Sequence, residues 1–503
     1  MIRIETERDI ERLRQVALLQ QAELTRLHAR LATLTQDLAE ARGESAVEAL
    51  QLELTLLHEQ LAARTRELFG PSSEQRKGPR PKAPQRATPP TGHGPREQAT
   101  LPLVEVVHVL DAPDQQCPKC GGALRPWKDQ YETADEIDVV ERTFRIVRHQ
   151  RQKYTCQCGE CVETALGPRK LVAGGRYSVD FALAVAVAKY ADHAPLARQV
   201  RQLARAGLTV DTQTLWDQLL ALARHLTPTY DALWRVVLSA PVVLFDETRW
   251  PLLGSATAAK WYAWAAAADE AIAYKIIGTR GNDGGRTVLA DFAGIAVTDG
   301  YEVYQSLQAE RVRAAKGPPA FTLAHCWSHG RRKVLAAEPA YPVANELLEM
   351  IGWLYDIERV AAEEPAAERA ARRAEYRDTW SRAVIAHMDA WVGSTLALPR
   401  SQLGNALRYL RDLWPGLVRF LEDARIPLDT NLVERGMRAL ALGRKNHYGS
   451  RSERGTQVAA LFYTLVESAK LAGIAPDRYL REAATRAIDA PGTVTLPRDL
   501  LDS

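Results

Sequence analysis

From residue 241 to residue 334 the sequence turns β-rich, and the order of its segments constrains the fold more than any other feature. Apolar, β-prone runs lie at Val242 to Phe245, Lys260 to Ala265, Ala271 to Ile277, Ile295 to Thr298 and Phe321 to Ala324. Between the third and fourth, Gly285 to Ala293 has the character of a helix. Asp246 closes the first run and Asp299 the fourth. A third acid, Glu434, lies in Asp429-Thr-Asn-Leu-Val-Glu-Arg-Gly-Met-Arg438, which has the pattern of a helix start. Acids so far apart in the chain meet only through a fold. Once together they would hold hard divalent cations, Mg²⁺ or Mn²⁺, which prefer oxygen ligands. Two such ions can clamp the attacking and leaving oxygens of a phosphodiester. Each acid alone is an ordinary strand-end or surface carboxylate, so only the trio in its ordered contexts points to chemistry.

Three strands, a helix and a further strand is the order of a ribonuclease-H-like α/β core. That architecture puts one carboxylate on the first strand and another at the end of the fourth, where Asp246 and Asp299 fall. Glu247 competes for the first position, but strand alternation sends it to the opposite face. After Arg332 helical sequence runs to residue 425, as an insertion ahead of the Glu434 helix. In that helix Asn431, Glu434, Arg435 and Arg438 share one face at helical spacing. Arg435, Arg438, Arg444 and Lys445, with Arg331 and Arg332 earlier in the chain, are candidate DNA contacts. His325, Cys326 and His329 follow the fifth run and, with Asn431, are expected to support the active site. Cys326 and His329 form a Cys-x-x-His pair without sequence-adjacent partners, which makes support a better expectation than metal binding.

The other segments differ in kind, and together they give a multidomain α+β chain. Residues 1–70 carry leucine heptads, among them Leu24, Leu31 and Leu38, then Leu54, Leu61 and Leu68 in a shifted frame. They are expected to self-associate as a coiled coil, either one stuttered helix or a hairpin broken at Gly43. Residues 71–100 are a basic, proline-rich linker. Residues 101–170 are a zinc-ribbon-like module in which Cys117 and Cys120 pair with Cys158 and Cys161 around structural Zn²⁺, with Cys156 as the alternative. Its stretch from Glu136 to Tyr154 has the composition of paired strands. Residues 171–240 are helical, with a helix–turn–helix cadence turning at Gly207 and capped by Asp211 or Thr212; this is either plain core or DNA recognition. Residues 241–334 begin the core, residues 335–425 are the insertion, and residues 426–503 hold the Glu434 helix and the C-terminal helices.

The net charge of +3 over 503 residues is too small to imply a nucleic-acid partner, so any basic surface must be local. The charged start of the chain is not expected to act as a signal peptide, and no apolar run is long enough to span a membrane as a helix. The expected location is cytoplasmic and nucleoid-associated.

Several blocks in one order carry a resemblance across nearly the full length. They are Leu68-Phe-Gly-Pro-Ser-Ser-Glu74, the cysteine ribbon, Asp246-Glu-Thr248 with Trp250, and Thr298-Asp-Gly-Tyr-Glu-Val-Tyr304. They continue in His325-Cys-Trp-Ser-His-Gly-Arg-Arg-Lys333, and in Asn431 to Arg438 running into Gly443-Arg-Lys-Asn-His-Tyr-Gly-Ser450. The chain resembles the large transposase of the insertion-sequence-66 family. The resemblance implies that Asp246, Asp299 and Glu434 are the catalytic and metal-binding triad of a ribonuclease-H-like transposase. It implies element terminal inverted repeats and target DNA as substrates, and small accessory proteins of the same element as partners. Two metal ions would then activate water, and later a DNA 3′-hydroxyl, for in-line attack. The competing expectations are a catalytically inactive transposase-derived DNA-binding protein and a nuclease or resolvase on the same fold.

Overall fold

The computed structural model describes residues 144–501 apart from 156–161, 254–259, 315, 316 and 318, together with Lys119 and Ala123 alone. The expected coiled coil, the linker and the five ribbon cysteines lie outside the described residues. Of the ribbon, β1 (Lys153–Thr155) pairs antiparallel with β2 (Val162–Thr164). The stretch from Phe144 to Gln152 lies in no strand, contrary to expectation. From Arg145 onward its side chains are exposed, so β-prone residues there bury nothing that would hold a ladder.

Three helices follow: α1 (Val179–Tyr190), α2 (Leu196–Arg205) and α3 (Thr212–Ser239). Gly207 turns the chain with φ of +82°, and Asp211 caps α3 by accepting from the Thr214 N–H. Beyond its first turn α3 is a core helix, burying Leu215, Leu219, Leu222, Leu226 and Leu233. Exposed arginines lie on α2 (Arg198, Arg201 and Arg205) and also on α3 (Arg224 and Arg235).

The core comprises β3 (Val242–Arg249), β4 (Tyr262–Ala268), β5 (Ala271–Ile277), α4 (Asn282–Leu289), β6 (Ile295–Thr298), α5 (Glu302–Arg313) and β7 (Thr322–His325). The strands form one sheet in the order β5-β4-β3-β6-β7, antiparallel on the β4–β5 side and parallel on the β6–β7 side. This mixed sheet among helices fits a ribonuclease-H-like core. Two segments depart from expectation. Strand β3 continues through Asp246 to Arg249, because β4 offers partners up to Tyr262. Helix α4 begins at Asn282, upstream of Gly285, whose lack of a side chain lets it pack on Val303 and Leu307 of α5.

Beyond β7 run α6 (Trp327–Ala337), α7 (Ala344–Glu363), α8 (Arg369–Tyr376), a π turn (Arg377–Ser381), α9 (Arg382–Ser394) and α10 (Gln402–Leu417). Then come α11 (Asn431–His447), α12 (Glu453–Leu471) and α13 (Pro476–Asp489). Helix α12 covers the edge strand. Ser468 Oγ accepts from Ile272 N–H (3.1 Å) and donates to its carbonyl (2.9 Å), and Thr464 Oγ1 accepts from Tyr274 N–H (2.9 Å). Those hydroxyls satisfy ladder groups that an open edge would expose. Among the described residues no single helix is long and apolar enough to cross a membrane.

Candidate active site

Backbone pairing brings the first two acids level. Leu244 of β3 pairs with Val297 of the parallel strand β6, so two residues further on Asp246 stands beside Asp299. Asp246 thus lies past the end of the β6 pairing although β4 still pairs with it. Asp299 leaves the sheet through a glycine turn in which its Oδ1 accepts from Tyr301 N–H at 2.9 Å. Gly300 has φ of +86°, and a Cβ there would lie 2.3 Å from Leu413 Cδ1 of α10, so this turn requires glycine. Tyr409 of α10 donates to the Asp299 carbonyl at 2.5 Å, which ties the helical insertion to the site.

The third acid arrives from α11. Its Gly436 lies so close to β5 that a Cβ would come within 2.2 Å of Ile272 Cδ1, which seats the helix hard against the sheet. Glu434 sits in the first turn, its Oε1 accepting from Thr430 Oγ1 at 3.0 Å. The Asp246 carboxyl is pushed up to about 7, first by burial and then by the negative charges of Glu247, Asp299 and Glu434, against a backbone N–H that favours the carboxylate. The three predicted acids therefore stand within electrostatic reach of one another.

Glu247 faces a different environment. Its Oε1 accepts two bonds from Arg280, at 2.6 and 3.0 Å, and its Oε2 accepts from Tyr304 OH at 3.3 Å. The Arg280 guanidinium lies 4.0 Å from the Tyr301 ring centroid. The first-strand rival is thus held in an ion pair.

The block after β7 divides in two. His325 is buried against Gly416, with its Nδ1 3.4 Å from Thr298 Oγ1, and burial pulls the imidazole down to about 4, so it is neutral core. The Cys326 sulfur lies 3.3 Å from both N and Oγ1 of Thr430 and 3.0 Å from Ser328 Oγ. Burial pushes that thiol up, but His329, Ser328 and Thr430 outweigh it and leave it below its usual value. Burial likewise lowers His329, while Cys326, Asp299 and Glu434 more than reverse it. One ligand atom each from Cys326, His329 and Glu434 lies within 4.8 Å of the others.

Among the other predicted residues, Arg435, Arg438, Lys445 and Arg332 are exposed and Arg331 is partly buried. Arg444 donates to Thr248 Oγ1 at 2.9 Å and to the Arg249 carbonyl, fastening α11 to β3. Asn431 turns back to Asp429, donating from Nδ2 at 2.5 Å, and does not bond Glu434. Sequence reasoning missed Arg280, Thr430, Tyr304 and Tyr409. Thr430 carried a signal as a hydroxyl one turn ahead of Glu434, and Tyr304 stands in the block that follows Asp299; Arg280 and Tyr409 reach the site from remote segments.

A five-strand mixed sheet among helices, with Asp246, Asp299 and Glu434 within electrostatic reach of one another, fits a ribonuclease-H-like core. Residues 174–458, more than half of the chain, match the transposase IS66 family, and residues 114–159 match the zinc-finger binding domain of transposase IS66. The chain belongs to the IS66 transposase family. The zinc-finger match includes Cys117, Cys120, Cys156 and Cys158 and stops short of Cys161. Two relatives come from Sinorhizobium fredii (strain NBRC 101917 / NGR234). The uncharacterized protein y4jD is 31% identical over 417 residues, 80% of this chain and 80% of its own length. The uncharacterized protein y4qI is 31% identical over 370 residues, 70% of this chain and 67% of its own.

Proposed function

We propose that the protein is an active transposase that binds the terminal inverted repeats of its element, cleaves DNA at their ends and joins those ends to target DNA. The observation that carries this reading is the convergence of Asp246, Asp299 and Glu434, with the Asp246 carboxyl raised to about 7 first by burial and then by the negative charges around it. Their donors are all oxygen and the charges acting on Asp246 are negative, so the set fits a hard divalent cation. Bound Mg²⁺ or Mn²⁺ would supply charge stabilisation at the phosphate and a more acidic attacking water or hydroxyl. The chain's own part is placement: β3 and β6 fix two acids at one level, and α11 swings the third across them. Arg435, Arg438 and Lys445 offer phosphate contacts along the same helix, while Arg444 serves α11 itself. Structural zinc on Cys117, Cys120, Cys158 and Cys161, with Cys156 as the rival ligand, would brace the ribbon beside the DNA. The N-terminal heptads would pair two copies to bring two element ends together. Accessory proteins of the element remain expected partners in the cell.

The test is strand transfer on a labelled terminal-repeat duplex with Mg²⁺ or Mn²⁺, comparing wild type with Asp299→Asn. Joined products from wild type alone are the expected result. Cleavage without joining would mark a nuclease or resolvase. Specific binding with no cleavage, even after the accessory proteins are added, would mark a retired enzyme.

A further inference from the structure

We propose that Cys326, His329 and Glu434 form a mixed sulfur–nitrogen–oxygen site for a borderline-soft ion of the Zn²⁺ or Co²⁺ type, separate in chemistry from the Asp246–Asp299 pair. It stands on donor geometry and does not depend on the transposase reading. Cys326 is a free, fully buried cysteine at the start of α6, and His329 lies one turn along. Glu434 comes from α11, and ligand atoms of all three gather within 4.8 Å.

The alternative is a plain anchor, in which the sulfur only accepts hydrogen bonds from Thr430 and holds the start of α11. That role explains the sulfur, and a thiol–imidazole contact between Cys326 and His329 is the rival account of the ring, but it leaves the ring's Nδ1 without a bond. His329 Nδ1 is buried without a hydrogen-bond partner and lies 3.9 Å from Glu434 Oε1. An orphaned buried nitrogen costs stability and calls for an explanation. In a tetrahedral zinc site, bonds of about 2.1 Å place neighbouring nitrogen and oxygen ligands roughly 3.4 Å apart. The gap therefore closes on an ion by a side-chain adjustment of about half an ångström. The Thr430 N–H directed at the sulfur fits a ligated thiolate as well as a thiol, while the single Thr430 hydroxyl proton serves either the sulfur or Glu434. His329 and Glu434 keep 21% and 26% of their side-chain surface exposed, which leaves a way in for the ion and an open coordination position. An ion here would occupy Glu434, so zinc and the hard cations of the carboxylate pair would compete for that residue.

The full chain should be equilibrated with Zn²⁺, freed of excess metal and analysed for bound zinc. Wild type should carry one zinc more than either Cys326→Ser or His329→Ala, whose affinity at this position should fall at least about 100-fold. A chain in which Cys117, Cys120, Cys156, Cys158 and Cys161 are all replaced by serine, loaded with Co²⁺, should keep a near-ultraviolet thiolate-to-cobalt band that disappears when Cys326→Ser is added. Serine retains an acceptor for Thr430; should that variant fail to fold, the partly exposed His329→Ala decides the zinc count. Equal zinc in wild type and the folded variants, with no Cys326-dependent cobalt band, would overturn the site. Asp246→Asn should keep the zinc and lose DNA cleavage, which separates failure of this site from failure of the transposase reading.

Discussion

Around Arg377 each buried charge meets an opposite partner, whereas around Asp246 like charges are pressed together. The Arg377 side chain is 1% exposed, pairs bidentately with Glu358 at 2.6 and 2.9 Å, and donates to the carbonyls of Phe420, Asp423 and Ile426. It fastens the helical insertion to the loop that leads into α11. At the sheet, Asp246 faces Asp299 and Glu434, and the nearby Arg280 is engaged by Glu247. Desolvation is costly in both places, but only the first cluster offsets it from within the chain. The second gathers like charge with no compensating partner of its own, which is what the proposed cation site requires.

The strongest way to break that contrast is to neutralise the open cluster. Asp246→Asn and Asp299→Asn should each lower strand transfer by about 1000-fold or more while leaving binding to the terminal repeat largely intact, as filter binding alongside the joining assay would record. Comparable loss in both measurements would mean the acids hold the fold and do not serve the chemistry. The closed cluster should respond in the opposite currency, stability. Arg377→Ala leaves Glu358 with Arg373 as its remaining partner, Nε at 3.2 Å, strips three carbonyls of their donor and should cost about 3 kcal/mol in denaturant unfolding. Pairing Arg377→Met with Glu358→Leu should recover most of that loss, and a double variant as weak as the single would show that the carbonyl contacts dominate.

A smaller effect follows from protonation. Asp246 titrates near 7 in the folded chain against 3.8 as a free side chain, so between those values the folded state binds the extra proton. Metal-free stability should therefore fall as pH rises from about 4 to 7 and level off above. Asp246→Asn should remove that slope and melt higher than wild type at pH 8. Mg²⁺ should raise the wild-type midpoint at pH 8 far more than the variant's. A metal-free wild type whose stability rises through this window would contradict the proposed crowding of acids.

Much of this contrast was legible in the sequence, though unevenly. The sheet announced itself because buried strands leave apolar runs, and Asp246 and Asp299 stood out by ending them. Glu434 was found from its helix-start context. What stayed hidden depends on approach between distant segments. Nothing near Arg377 in the chain names the carbonyls of Phe420 and Ile426, and Tyr409 lies 110 residues from the Asp299 carbonyl it bonds. The start of α4 was misplaced because Gly284 and Gly285 resemble a helix boundary; their role, contact with Trp264 and α5, exists only in three dimensions. The Cys-x-x-His pair looked weak for the same reason, since its third donor comes from α11.

The finest test compares two neighbours on one strand. Glu247 and Asp246 are both carboxylates on β3, and pleating turns them to opposite faces. Burial, together with the charge of Asp299, raises the Glu247 carboxyl more than Arg280 and Tyr304 lower it, so removing its charge relieves desolvation and repulsion while sacrificing an ion pair. Those two effects oppose, and Glu247→Gln should shift unfolding by no more than about 1 kcal/mol. Glutamine keeps a carbonyl for the Arg280 guanidinium, so the Arg280–Tyr301 packing that flanks Asp299 should survive. Strand transfer should then fall less than about 10-fold, against the far larger loss for Asp246→Asn. If the two variants lose activity equally, the first position of the cluster belongs to Glu247, and the partnered carboxylate would be the one that gives up Arg280 to take the cation.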